Sequence, residues 1–268
     1  MNNLLQNTNN MTKNLFLNSV RQDVINFLCQ QNQLLLNERH FQVELARYLG
    51  DKYSHVYTEY LVPLDEITQR KPFGSKDEYP WLDEVSAKHS GSGNSQSGSS
   101  DTQLIYIDIV VEKDGEFVLV ELKYPTDQVF VNDTDLTPKP TLFGEPFLTN
   151  SKLLNRDAAQ PHHSYLYWKD VRRMEVIKTR FKHVVGGLAV FLTNDKSYKR
   201  GPIRSVKYAN FCIKDGRKVN GPTLLDWANN SKMVKSHPNF IIDGNYTCNW
   251  GKPISIQGID FDYLILDV

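Results

Sequence analysis

The 268 residues balance 31 Lys and Arg against 31 Asp and Glu, are 40% hydrophobic and include 3 cysteines. An odd, widely spaced cysteine set excludes a disulfide framework or a zinc site, and zero net charge argues against a general polyanion binder. No stretch approaches the ~20 apolar residues of a membrane span, and the opening M-N-N-L-L-Q-N-T-N-N lacks a basic region followed by an apolar run, so a cytoplasmic protein with no membrane partner is expected.

Residues 1–18 read as a polar, mobile N-terminal tail ahead of one domain over 19–268. Ser19 and Gln22 match a capping box, and Val20, Val24, Phe27 and Leu28 recur at helical spacing, predicting a helix over 20–31. A second helix is predicted over 37–49, with Asn37 as N-cap and Gly50 as stop signal. Phe41, Leu45, Tyr48 and Leu49 form its apolar stripe; Glu38 and Gln42 share that stripe, and Glu44 lies about 100° away from it. A strand is expected over 53–62. The run S-G-S-G-N-S-Q-S-G-S-S from Ser90 has no apolar residue, which predicts a flexible insertion over about 86–102 within the domain.

Two apolar strands then flank Asp114-Gly115, the dipeptide of a two-residue hairpin. Such a turn pairs Lys113 with Glu116, and stepping outward on both strands places Asp108 opposite Glu121. Side chains alternate faces along a strand, so Asp108, Glu121 and Lys123 are expected on one face. Two carboxylates held side by side repel unless a cation lies between them, and oxygen ligands suit Mg2+ or Mn2+.

Residues 125–156 are irregular and rich in proline. A helix over about 160–182 puts His163, Leu166, Tyr167, Met174, Ile177 and Phe181 on one face, and Lys169, Arg172, Arg173 and Arg180 in another sector, a basic ridge able to meet a phosphate backbone. Asp170, on the apolar face, needs a partner, and an ion pair or cap is expected ahead of a metal role. His162 and His163 read as helix-surface and core residues. Strands follow over 184–193 and from Phe261; between them, 199–208 suggests a basic loop and 221–229 a short helix. Residues 169–218 hold 14 Lys and Arg against 4 Asp and Glu, so this segment, under a fifth of the chain, can present a positive face.

Asp108, twelve residues, then Glu121-Leu122-Lys123 resembles the core motif of the PD-(D/E)XK nuclease superfamily, with Ile107 where the motif's name has proline. The resemblance covers roughly 35–195. It implies an α/β fold with a restriction-endonuclease-like αβββαβ core, a central mixed sheet flanked by helices, an extra N-terminal helix and a C-terminal elaboration over 196–268. It further implies that Asp108 and Glu121 hold Mg2+ or Mn2+, that Lys123 orients or activates the attacking water, and that the first core helix adds an acid, here Glu38, with Glu44 the alternative. Gln42, Lys169, Arg172, Arg173 and Arg180 are the expected substrate-binding residues. The activity implied is phosphodiester hydrolysis of nucleic acid, DNA ahead of RNA, in a bacterial restriction or defence setting, with a homodimer or partner protein supplying specificity. Two rivals remain: a catalytically silent nuclease-fold binding or scaffold subunit, and a hydrolase using His162 or His163.

Overall fold

The computed structural model describes residues 2–62, 105–134, 141–142, 145–146, 150–157, 159–202, 208–228, 233–234 and 237–268; the insertion expected over 86–102 lies outside them. Asp114 and Gly115 both take positive φ, 55° and 77°, as a two-residue hairpin turn with the twist of its strands requires. That turn joins β2 (Ile105–Lys113) to β3 (Glu116–Lys123), paired from Lys113↔Glu116 out to Ile109↔Val120. This is the register the turn predicted. β1 (His55–Val62) pairs antiparallel on the other side of β2.

The helices frame these strands. α1 (Asn2–Gln30) precedes α2 (Glu38–Gly50), whose N-cap Asn37 accepts the His40 N–H at 2.8 Å. After β3 the chain enters α3 (Gln160–Arg180), with Pro161 in its first turn, then β4 (Val184–Thr193), which lies parallel to β3. β5 (Ile254–Ile256) and β6 (Ile259–Asp267) form an antiparallel pair, and β6 pairs with β4. The sheet is six-stranded and mixed, in the order β1-β2-β3-β4-β6-β5.

Alternation along the strands divides the core into two layers. Ile109, Val111, Val118, Val120 and Leu122 pack with Phe16, Val20, Phe41 and Leu45 of α1 and α2. Val110, Leu119, Ala189 and Phe191 pack with Tyr167, Val171 and Met174 of α3. The paired glycines of β4 serve one layer each: a Cβ on Gly187 would come within 2.5 Å of Met174 Sδ, and one on Gly186 within 2.8 Å of Leu17 and 2.9 Å of the Val268 carbonyl.

Three expectations need correction. The helix expected from residue 20 runs from Asn2, so 1–18 is not simply a tail; Ser19 lies inside α1 and its hydroxyl donates to the Leu15 carbonyl at 2.8 Å, because Phe16 extends the buried stripe one turn earlier. Residues 221–229 hold a strand, Thr223–Leu225, paired with Phe240–Ile242, instead of a short helix. Trp227 there turns inward against Phe211 and Tyr165, 4.7 and 5.5 Å between ring centroids, fixing the segment on α3. The basic ridge on α3 does not exist as drawn: Lys169, Arg172 and Arg173 are buried and only Arg180 is exposed. Among the described residues no helix is long and apolar enough to cross a membrane.

Candidate functional site

The site forms where β2 loses its regular pairing. The β2–β3 ladder stops at Ile109↔Val120, and the β1–β2 register passes from Thr58↔Ile109 to Tyr60↔Ile107. Asp108 is skipped in the β1 ladder and is the first β2 residue beyond the end of the β3 ladder, so it does not pair with Glu121 as expected. Its Oδ2 accepts the Leu122 N–H at 2.7 Å, replacing a backbone partner, and its carbonyl accepts from Gln42 Nε2 at 2.6 Å. Glu59, across from it on β1, is held at φ 50°, a conformation costly for glutamate, and its carboxylate accepts from Gln42 at 3.1 Å. Gln42, buried and on the expected stripe, therefore clamps the interruption from α2.

Five further charged side chains gather around Asp108. Glu38, at the start of α2, accepts the Tyr124 N–H through Oε2 at 3.0 Å, which brings its carboxylate to the C-terminal end of β3 although the residue itself lies at the surface. Glu44 pairs instead with Arg47 and His40, and of the two acids Glu38 is the one that reaches the β3 end. Lys123 Nζ lies 2.6 Å from Asp170 Oδ2 and donates to the Leu122 carbonyl at 2.9 Å. Asp170 also meets Arg173, at 3.0 Å, and Arg173 forms an ion pair with Glu121. Glu121, Asp170 and Arg173 make a buried floor; Asp108 and Lys123 are half-buried and Glu38 opens to solvent.

Electrostatics bind these groups into one cluster. Burial raises the Glu38 carboxyl above its ordinary value; Lys123 opposes this, and Asp108 adds to it. Burial likewise raises Glu121 well above the carboxylate range despite Arg173, with Asp108 and Asp170 reinforcing it. Burial alone would lower Lys123, but Asp170, Glu38, Asp108 and Glu121 outweigh it and hold the ammonium charged. Glu121 and Asp170 do the same for Arg173. Four carboxylates (Glu38, Asp108, Glu121, Asp170) face two cations (Lys123, Arg173), a formal surplus of two negative charges.

That surplus is what one divalent cation would balance, and an all-oxygen donor set suits Mg2+ or Mn2+. Glu121 Oε1 and Asp170 Oδ2, both buried, are each held by one cation, Arg173 and Lys123 respectively. The donors are not gathered into a cage: among the described residues no group of three His, Cys, Asp or Glu stands ready to hold a metal. The carboxylates match a divalent ion in charge and donor type but not in arrangement, and Arg173 sits on Glu121.

The other expected binding residues lie elsewhere. Arg172 pairs with Glu175, at 3.0 Å, and with Asp243, which ties α3 to the C-terminal segment. Lys169 is buried in α3. Arg180 lies at the far end of α3 and lines a cleft of ≈ 380 Å³ with Tyr60, Phe117 and Ile177, at the opposite end of β3 from Lys123. His163 contacts Asp157 at 3.0 Å, and burial lowers its pKa, with Lys123 adding to the shift against Asp157. His162 Nδ1 lies 2.8 Å from His237 Nε2. For Asp170 the sequence points only to an unspecified ion pair or cap, and Arg173 is expected on a phosphate-binding ridge, whereas the structure pairs the two with each other and with Lys123 and Glu121. The i, i+3 spacing of Asp170 and Arg173 was the available signal.

No family model, no curated protein and no solved structure matches the chain.

Proposed function

We propose that this chain hydrolyses phosphodiester bonds in nucleic acid, with DNA as the first substrate to test, using Mg2+ or Mn2+ on a restriction-endonuclease-like αβββαβ core formed by α2, β1, β2, β3, α3 and β4. The observation that carries this reading is the interruption of β2 at Asp108, which sets its carboxylate beside the E-L-K strand in a cluster short of two positive charges. Asp108, Glu121 and Glu38 would hold the ion, which when bound supplies positive charge against the phosphate and acidifies a water. Hydrolysis forms a bond from water oxygen to phosphorus and breaks the bond to a sugar oxygen. Lys123, held as an ammonium in the metal-free protein, would hold the phosphate or the water by charge, and the water's proton would pass through solvent to the departing sugar oxygen. Gln42 fixes the backbone of Asp108 and acts as a positioning residue.

The test is incubation of plasmid, linear DNA and RNA with Mg2+ or Mn2+, comparing wild type with Asp108→Asn. Cleavage by wild type alone supports the reading; equal cleavage by both proteins sinks it. A second reading, a nuclease-fold binding or scaffold subunit, is favoured by the Arg173–Glu121 ion pair, which neutralises a ligand without any metal. Calorimetric titration with Mn2+ separates the two, because a silent scaffold needs no ion and the hydrolase does.

A further inference from the structure

Among the described residues, Arg173 is the arginine that meets the carboxylate of the E-L-K strand. It is buried, it contacts both Glu121 and Asp170, and its Nε makes no hydrogen bond among the described residues. A guanidinium satisfies a carboxylate best through two parallel hydrogen bonds. Here a single contact joins the pair, Nη2 to Glu121 Oε1, while Nε makes no hydrogen bond among the described residues, so the two-bond fork is not formed. The pair is therefore held by the surrounding charge and not by a matched fork. Asp170 gives Arg173 a second anchor that does not depend on Glu121, and shares that anchor with Lys123.

We propose that Arg173 is a resident counter-cation: it occupies Glu121 in the metal-free protein, competes with the divalent ion for that carboxylate, and stays tethered by Asp170 when displaced. The inference rests on the nuclease reading and adds a regulation to it. Two cations on one buried carboxylate repel, so metal binding and the Arg173–Glu121 contact each weaken the other. The metal-free site is kept neutral enough to fold, at the expense of metal affinity. Displacement also leaves a guanidinium beside Lys123, where an incoming phosphate carries negative charge for both.

The experiment is calorimetric Mn2+ titration of metal-free wild type, Arg173→Gln and Arg173→Lys. Arg173→Gln keeps a donor for Glu121 and removes only the charge, so its Mn2+ dissociation constant is expected to fall about tenfold below wild type, while Arg173→Lys stays near wild type. Equal or weaker binding by Arg173→Gln, with wild type still binding, overturns the competition and leaves the nuclease reading intact. No Mn2+ binding by any of the three at millimolar concentration overturns both. A wild-type measurement covers the case in which the variants fold poorly: the Arg173 Nε–Hε resonance, followed through a Mg2+ titration, should shift as Glu121 is lost. An unmoved resonance in a protein that binds Mg2+ overturns the proposal.

Discussion

The carboxylate of Asp108 accepts the backbone N–H of Leu122 at 2.7 Å, so one side chain does the work of a missing ladder bond and faces the charge cluster as well. The two roles separate by substitution. Asp108→Asn keeps a carbonyl oxygen for Leu122 and removes one surplus charge; it should stay folded while losing metal binding and cleavage. Asp108→Ala leaves the Leu122 N–H without that acceptor and should cost about 1–3 kcal/mol more in urea denaturation than Asp108→Asn. Added Mg2+ should raise the melting temperature of wild type and not of Asp108→Asn.

Charge surplus predicts a pH dependence of the metal-free protein. Glu38 and Glu121 both titrate above their ordinary values when folded, so the native state binds more protons than the unfolded one once the pH passes the ordinary carboxylate range. Their contribution is fully present below that range and is lost as the pH rises through the raised values. Wild-type urea midpoints should therefore decline as the pH rises above the ordinary carboxylate range in the absence of metal. Glu38→Gln should flatten that fall, and a steeper one would contradict the surplus.

Lys123 and Asp170 form a mostly buried ion pair at 2.6 Å, and removing Lys123 leaves Asp170 to Arg173 alone and Glu38 and Asp108 without their nearest cation. Lys123→Ala should destabilise by about 3–5 kcal/mol. Combining it with Asp170→Asn should cost less than the two single changes added together, by more than about 1 kcal/mol. Strict additivity would mean that the contact contributes nothing.

Glu175 offers a control away from the cluster. Its carboxylate accepts the Gly244 N–H at 2.7 Å and the Tyr246 hydroxyl at 2.9 Å, and pairs with Arg172 at 3.0 Å, pinning the C-terminal segment to α3. Glu175→Ala leaves these buried partners unsatisfied and should cost about 3 kcal/mol in thermal or urea unfolding. Mn2+ affinity of the folded fraction should match wild type.

Local chemistry made much of this fold readable in advance. The Asp114-Gly115 turn dictated the β2–β3 register, Asn37 capped α2, and the stripe of α2 carried Glu38 and Gln42 to the hairpin. What stayed hidden depended on segments far apart in the chain. Arg172 is buried because Asp243 comes to meet it, and Arg173 because β3 brings up Glu121; a helical wheel drawn on α3 alone leaves both facing water. Ser19 misled for a different reason. A hydroxyl that caps a helix can equally bond back to a carbonyl within one, and only the buried Phe16 upstream distinguishes the two.

The two packed layers meet at this cluster. Glu38 arrives with α2 from one side of the sheet, and Asp170 and Arg173 arrive with α3 from the other. A chain in which either layer has come loose still carries Asp108, Glu121 and Lys123 on an intact hairpin, yet lacks the groups that set their charge. On the proposed reading, a half-folded copy is a harmless one: the capacity to cut would be switched on only by completed tertiary assembly.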